Sequence, residues 1–264
     1  MPSVKRPDRQ SGQAIVESAL TLPLMVFMLL GTMQLFMMMH GRILTQLAAF
    51  QATRTGSLNH GNCARMLHSA ILQVLPAIEP FAKNNGVALD QNVANTFAKY
   101  QNNNYNGKNT NIGPAKSQNL TGSVFWIVRN ITGRVAPMFS GPNQADDDFD
   151  QNGAAQILET KVIFWFPMRV PFANWVIGRA ILAHYNLQAY SNQNPLLISQ
   201  KSNWAGPGTS IAPEIQAELA ARMLSNEYVF PIVASYTMRM MTPLKQVNYA
   251  LPGGKNCPGT PPAL

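Results

Sequence analysis

The sequence predicts an α+β fold in which a long N-terminal transmembrane helix continues into an exported domain with a few antiparallel strands and short helices. Three observations carry this expectation. Residues 18–41 contain no Asp, Glu, Lys or Arg, and at about 1.5 Å per residue such a helix spans a bilayer core of roughly 30 Å. Ile157–Val170 and Tyr228–Met241 have strand length, are rich in Val, Ile, Phe, Trp and Tyr, and are expected to pair. Between them, Pro213–Asn226 places Glu214 in a first turn and Ile215, Leu219 and Met223 on one face, the pattern of an amphipathic helix.

The composition agrees. Of 264 residues 46% are hydrophobic and only 12% charged, about half the charged share of an ordinary globular domain. Two cysteines and four scattered histidines do not make a structural zinc site. The net charge of +8 comes from basic residues spread singly between Lys5 and Lys255, without the clusters that track a phosphate backbone, so no nucleic-acid partner is expected.

Element by element, residues 1–12 form a basic, proline-containing leader with Lys5, Arg6 and Arg9 against Asp8; residues 13–41 form the membrane helix. The positive-inside tendency places the leader in the cytoplasm and exports the rest. Pro23 is tolerated because a membrane helix can satisfy the carbonyl it frees. The methionines between Met25 and Met39 read as packing surface toward lipid or other subunits. Residues 42–83 continue as a helical extension with a break around Gly56 and Asn59–Asn62, and residues 84–121 read as an Asn/Gln-rich loop. The exported α+β domain occupies 122–264. In it Ser123–Val135 suits helix or strand, a short helix follows Pro171, and the Pro- and Gly-rich end reads as an irregular tail.

Three processing readings compete at the amino terminus: an uncleaved anchor, a secretory signal, and a signal cut on the cytoplasmic side. The secretory reading is disfavoured by the length of the apolar run and by Leu47 at the minus-three position of a cut after Ala49. A carboxylate at the edge of a membrane helix is costly unless paired, which singles out Glu17. A cut after Gly12 would make Gln13 a free ammonium and Glu17 the fifth residue of the mature chain, so that packed helices could pair each glutamate with a neighbour's amino terminus.

The stretch RQSGQAIVESALTLPLMVFMLLGTMQLF, with its basic leader, Gly12-Gln13-Ala14, Val16-Glu17 and Leu22-Pro23-Leu24, resembles the start of class III prepilin-type proteins, and most of all TadE-like minor pseudopilins of the tight-adherence pilus system. The resemblance covers about the first 60 residues. It implies cleavage after Gly12 by prepilin peptidase and an assembly role for Glu17. It also implies a single-pass inner-membrane protein whose partners are membrane lipid, other pilin-type subunits and inner-membrane pilus assembly proteins, in adhesion or secretion. A plain signal anchor with Gly12 and Glu17 incidental is the alternative.

Further residues bear on the exported part. Export favours a Cys63–Cys257 bridge over two free thiols, with a chain-entropy gain of about 4 to 5 kcal/mol. Asp148, Asp150, Asn152, Gly153 and Glu159 match a calcium-loop pattern, with Asp146 and Asp147 beside it, and calcium is the one cofactor raised. The two bracing helices of an EF-hand are missing, and a solvated acidic loop is the favoured reading. His60, Cys63 and His68 suggest a metal only weakly, because Gly61 interrupts their helix and no carboxylate is near. Trp126, Trp165, Trp175 and Trp204 read as core or interface. No catalytic motif is present, so no enzyme is expected. The reading that follows is a minor pilin-type subunit; the alternative is a membrane-anchored periplasmic binding module, calcium-dependent or not, with no filament role.

Overall fold

Helix α1 runs from Ser11 to Leu58, 48 residues with Pro23 inside, or about 72 Å at 1.5 Å per residue. In this computed structural model the described residues are 11–79, 88–105, 120, 122–132, 156–184, 212–244, 248, 256–262 and 264. The chain reverses after α1 at His60 and Gly61, whose φ angles are 54° and 71°; Gly61 N–H bonds to Gly56 carbonyl at 2.8 Å. The expected break therefore falls at Asn59–Asn62, and the helix passes through Gly56. Asn62 then caps α2 (Cys63–Ile78) by accepting from the Arg65 N–H at 3.2 Å, one of the donors that a helix start leaves open.

The apolar face of α2, from Met66 through Ile71 to Ile78, is buried and packs on α1. Helix α3 (Leu89–Tyr100) corrects the reading of residues 84–121 as a loop throughout. Val93, Thr96, Phe97 and Tyr100 recur at helical spacing, with Asp90 in the first turn and Lys99 in the last, a favourable placement for the helix dipole. Asn and Gln between them hid that stripe from a reading of composition. Lys99 and Glu79 form an ion pair at 3.0 Å, tying α3 to the end of α2.

The sheet is antiparallel in the order β1-β2-β3, with β1 (Phe125–Thr132), β2 (Ile157–Pro167) and β3 (Val229–Arg239). Phe125 faces Phe164, and Ile163 faces Val233. The two expected strands do pair. The ambiguous stretch after Ser123 is a strand, because it lies along the otherwise open edge of β2. As the central strand, β2 is buried from Val162 to Pro167. Helix α4 (Ala173–His184) lies against α1, and α5 (Pro213–Leu224) against β3. The long apolar helix, the small antiparallel sheet and the short helices make the fold α+β, as expected.

Side-chain hydrogen bonds complete the domain where the backbone leaves the ladder. Asn103, at φ 60°, donates to the Phe125 carbonyl and accepts from its N–H, both at 2.8 Å, which extends the end of β1 as a strand neighbour would. The Arg222 guanidinium stacks 4.6 Å from the Trp165 ring centre and bonds to Glu218 at 2.7 Å. The Tyr105 hydroxyl donates to the Trp165 carbonyl at 2.7 Å. Burial pushes this phenol well above the ordinary tyrosine range, against the pull of Arg222. Burial, then the Glu79 carboxylate, pushes Tyr100 the same way.

Candidate assembly surface on the N-terminal helix

Helix α1 has two kinds of surface. Toward its C-terminal end, Gln34, Gly41, Thr45, Ala48, Ala49, Ala52, Thr53, Gly56 and Ser57 are buried, the recurrence of three or four that keeps one face on the domain. These residues are small because the sheet and α2 approach closely. A methyl group at Gly41 would meet the Phe166 ring, and one at Gly56 would meet Met66 and Leu158. The buried hydroxyls of Thr45 and Thr53 donate to the carbonyls of Gly41 and Ala49, each at 2.7 Å, so they bring no unpaired donor into the core.

From Ile15 to Met33 the same helix presents Ile, Val, Leu and Met side chains outward; Leu20 and Met25 are each 72% exposed. Its hydroxyls are also satisfied within the helix, Thr21 on the Glu17 carbonyl and Thr32 on the Leu29 carbonyl, both at 2.9 Å. This surface is apolar, helical and internally hydrogen-bonded, which is what a lipid or helix-packing environment requires. By length and composition the helix is long and apolar enough to cross a membrane once, from Ile15 onward.

Gly12 and Gln13 lie in the first turn of α1, and Glu17 lies on its exposed surface one turn later. Thus the expected processing position and the expected assembly carboxylate share one continuous helix.

The other predicted positions fall elsewhere. Cys63 and Cys257 are joined by a disulfide with a Cα–Cα distance of 5.4 Å, closing a separation of 194 residues. The tail around Cys257 is ordered by strand-like contacts: Cys257 N–H bonds to the Ile127 carbonyl at 2.9 Å, and Asn256 bridges Val128. The tail is thus less irregular there than its prolines suggest. His60 Nδ1 lies 2.8 Å from the Pro243 carbonyl and His68 packs edge-on against Phe97, so the residues of the weak metal suggestion are held by separate contacts. Among the described residues no group of three His, Cys, Asp or Glu is placed to hold a metal. Asp146, Asp147, Asp148, Asp150, Asn152 and Gly153 lie outside the described residues, as does Trp204. Glu159 stands in β2, where Asn130 donates to its carboxylate at 3.3 Å.

Two positions that the sequence did not single out fix where the free part of α1 ends. Gln34, fully buried, accepts from the Val170 N–H at 2.9 Å. Seven residues earlier, Phe27 meets the ring of Phe172 edge-on at 5.8 Å. The only sequence signal was a lone amide in an apolar run, which has no visible partner until the chain after β2 folds back.

Comparison with known proteins agrees with the resemblance noted from the sequence: a family model of TadE-like proteins matches residues 12–54. That interval contains Gly12, Gln13, Glu17, the exposed apolar surface and most of the packed one. No curated protein and no solved structure matches the chain.

Proposed function

We propose that this chain is a minor pilin-type subunit that takes part in assembling a tight-adherence pilus or a related secretion filament. The observation that supports it is the unbroken α1, which carries Gly12-Gln13 and Glu17 at the head of an exposed apolar surface within the stretch similar to TadE-like proteins. In this reading the helix crosses the bacterial inner membrane once, with the leader in the cytoplasm and the domain exported. Prepilin peptidase cuts after Gly12. The freed ammonium of Gln13 and the Glu17 carboxylate of a neighbour then attract each other in a low-dielectric setting, where such a pair is far stronger than in water. Packing of Leu, Val and Met surfaces from neighbouring helices supplies the remaining contact. The chain acts by assembly and carries out no catalysis; its partners are the peptidase, other pilin-type subunits, inner-membrane assembly proteins and lipid.

The test is the mass of the amino-terminal peptide from protein recovered from its native membrane, with and without the peptidase. A Gln13 start that disappears in the peptidase-deficient strain is the expected result. An intact Met1 or Pro2 start in both strains would make the anchored binding module the better reading. Glu17→Ala is expected to abolish incorporation while leaving the domain folded; a variant that still assembles pili would remove the pairing step.

A further inference from the structure

We propose that the outer edge of β3 pairs with the same edge of a second copy of this chain in the same membrane, joining the two sheets through parallel strands. The proposal rests on the reading of α1 as a single membrane span. Its starting point is the ladder. Met168 N–H donates to the Tyr228 carbonyl at 2.9 Å and Met240 N–H to the Gln156 carbonyl at 2.8 Å, and both pairs continue the β2–β3 register. Backbone groups of even-numbered β3 residues therefore face β2, and those of Pro231, Val233, Ser235 and Thr237 point outward. Among the described residues no hydrogen bond reaches them there. Ser235, Tyr236 and Thr237 are exposed, as is Val233 at 45%.

The opposite edge of the sheet is closed. Asn103 pairs with both backbone groups of Phe125. Ile127 donates to Thr260 Oγ1 and accepts from the Cys257 N–H, both at 2.9 Å. β3 lacks such a cover, and it also lacks most of the guards of an edge strand, which are charge, proline and bulges. Its register with β2 is unbroken and no charged residue occurs from Val229 to Met238. Pro231 alone guards it, at an outward position where its missing N–H costs no bond to β2. An edge of this kind is a template for another strand.

The direction of β3 selects the occupant. Ile232 packs by Gly41, the Tyr236 ring meets Phe50 at 5.0 Å, and Met238 Sδ accepts from the Ser57 hydroxyl at 3.5 Å. The strand thus advances with α1, with about 24 Å of helix from Gly41 to Ser57 beside about 20 Å of strand from Ile232 to Met238. A second copy held in the same membrane presents its β3 parallel to this one and at the same height beyond the apolar run. The two edges meet by a half-turn about an axis along the strands, which keeps both α1 helices upright. Antiparallel pairing of the same edges would invert one α1. In a parallel ladder each outward residue bonds to the two residues flanking its opposite, so identical edges pair only when offset by an odd number of residues. The smallest offset, one residue or about 3.3 Å, sets Ser235 opposite Tyr236 of the second copy. The closed β1 edges end the joined sheet at two copies. The two α1 helices then lie on its opposite faces, with their exposed apolar surfaces left for other neighbours.

The test uses two differently tagged full-length chains, Ser235→Cys and Tyr236→Cys, produced together in the native membrane and oxidised there; Cys63 and Cys257 are already bridged. The expected result is a disulfide linking the two tags, because across a strand pair the two Cα atoms lie about 4.8 Å apart, within disulfide reach. Each variant alone is expected to give no adduct, since its two cysteines fall on opposite faces of the joined sheet. Thr237→Pro, added to both chains, removes an outward N–H and leaves the bonds to β2; it is expected to abolish the adduct without lowering the thermal midpoint of the domain. Should the proline lower that midpoint, Thr237→Lys is the second variant, since its charge is solvated at a free edge and opposed by a like charge in a paired one. An adduct from Ser235→Cys alone would mean antiparallel strands, and no adduct would mean an unpaired edge. An adduct that survives both Thr237 variants would mean chance collision, and one formed only with another protein would mean a different occupant. Each of these overturns the proposal. The amino-terminal mass keeps it apart from the processing reading: a Gln13 start without the adduct refutes the edge pairing alone, whereas the adduct on a chain with an intact Met1 start supports the pairing and refutes the processing.

Discussion

The two halves of α1 are both apolar, yet only the second carries a face of small side chains on which the domain closes. From Ile15 to Met33 the exposed positions are mostly Leu, Met, Val and Ile; from Gln34 to Ser57 the buried ones are Ala, Gly, Thr and Ser with one Gln. Hydropathy alone would assign both halves to one environment. Small residues allow the sheet and α2 to approach the helix axis, as at Gly41 and Gly56, and close packing of that kind fixes a unique partner. Large flexible residues instead present a surface that adapts to lipid or to a neighbouring helix. From Gln34 onward, side-chain volume distinguishes the face closed by the domain from the face carrying Leu35, Phe36, Met39 and Ile43, which stays exposed.

The largest effect that would sharpen this contrast lies where the domain is closed behind the helix. Replacing both cysteines, Cys63→Ser with Cys257→Ser, removes a link across 194 residues and is expected to cost about 2–5 kcal/mol. Thermal unfolding of the domain in detergent should show this as a lowered midpoint, while the helical signal of the free half of α1 persists. An unchanged midpoint would mean that the tail is held by its contacts to β1 alone.

Next in size is a matched pair of glycine substitutions. At Gly56 an added side chain meets Met66 and Leu158, whereas at Gly31 nothing lies within 4 Å. Gly56→Leu is expected to destabilise the domain by about 1–3 kcal/mol through overpacking, and Gly31→Leu to leave its denaturation midpoint in place. Equal shifts from the two variants would break the comparison. A smaller effect is expected from Thr53→Val, since its hydroxyl bonds to a carbonyl that the helix also uses; a loss of no more than about 1 kcal/mol follows. The corresponding Thr21→Val in the free half should leave domain stability unchanged. A loss from Thr53→Val exceeding that of Gly56→Leu would show that polarity, not volume, governs the packed face.

The smallest effect near neutral pH comes from the buried phenols. Burial raises the folded pKa values of Tyr100 and Tyr105 well above the ordinary tyrosine range. Their neutral forms thus favour the fold fully below about pH 10, and the contribution is lost as pH rises past that point. An alkaline titration should show their tyrosinate absorbance appearing together with unfolding, later than that of exposed tyrosines. Early, independent ionisation of both would contradict their burial.

Much of this architecture could be read from the chain. β2 and β3 were legible because β-branched and aromatic residues run through them without a break, and α5 because Ile215, Leu219 and Met223 fall on one face. β1 was not, since Val124, Val128 and Ile131 are spaced to suit either state; pairing with Phe164 and its neighbours decides it. α3 was hidden because only a few stripe residues stand among Asn and Gln. On the candidate assembly surface, Gly12 and Glu17 stood out as an unusual residue pair beside an apolar run, and the TadE-like match covers them. Gln34 and Phe172 were invisible because their meaning depends on contacts across more than a hundred residues of sequence.

The bridge between Cys63 and Cys257 also imposes an order in time. Cys63 is synthesised 194 residues before its partner, an interval of about 10–40 s at ribosomal rates of roughly 5–20 residues per second. Throughout that interval Cys63 carries an unpaired thiol, and a chain truncated anywhere before Cys257 carries it indefinitely. Completion of the bridge therefore distinguishes chains that reach Cys257 from those that stop before it, and a thiol-reactive probe should label only the latter once oxidation is finished.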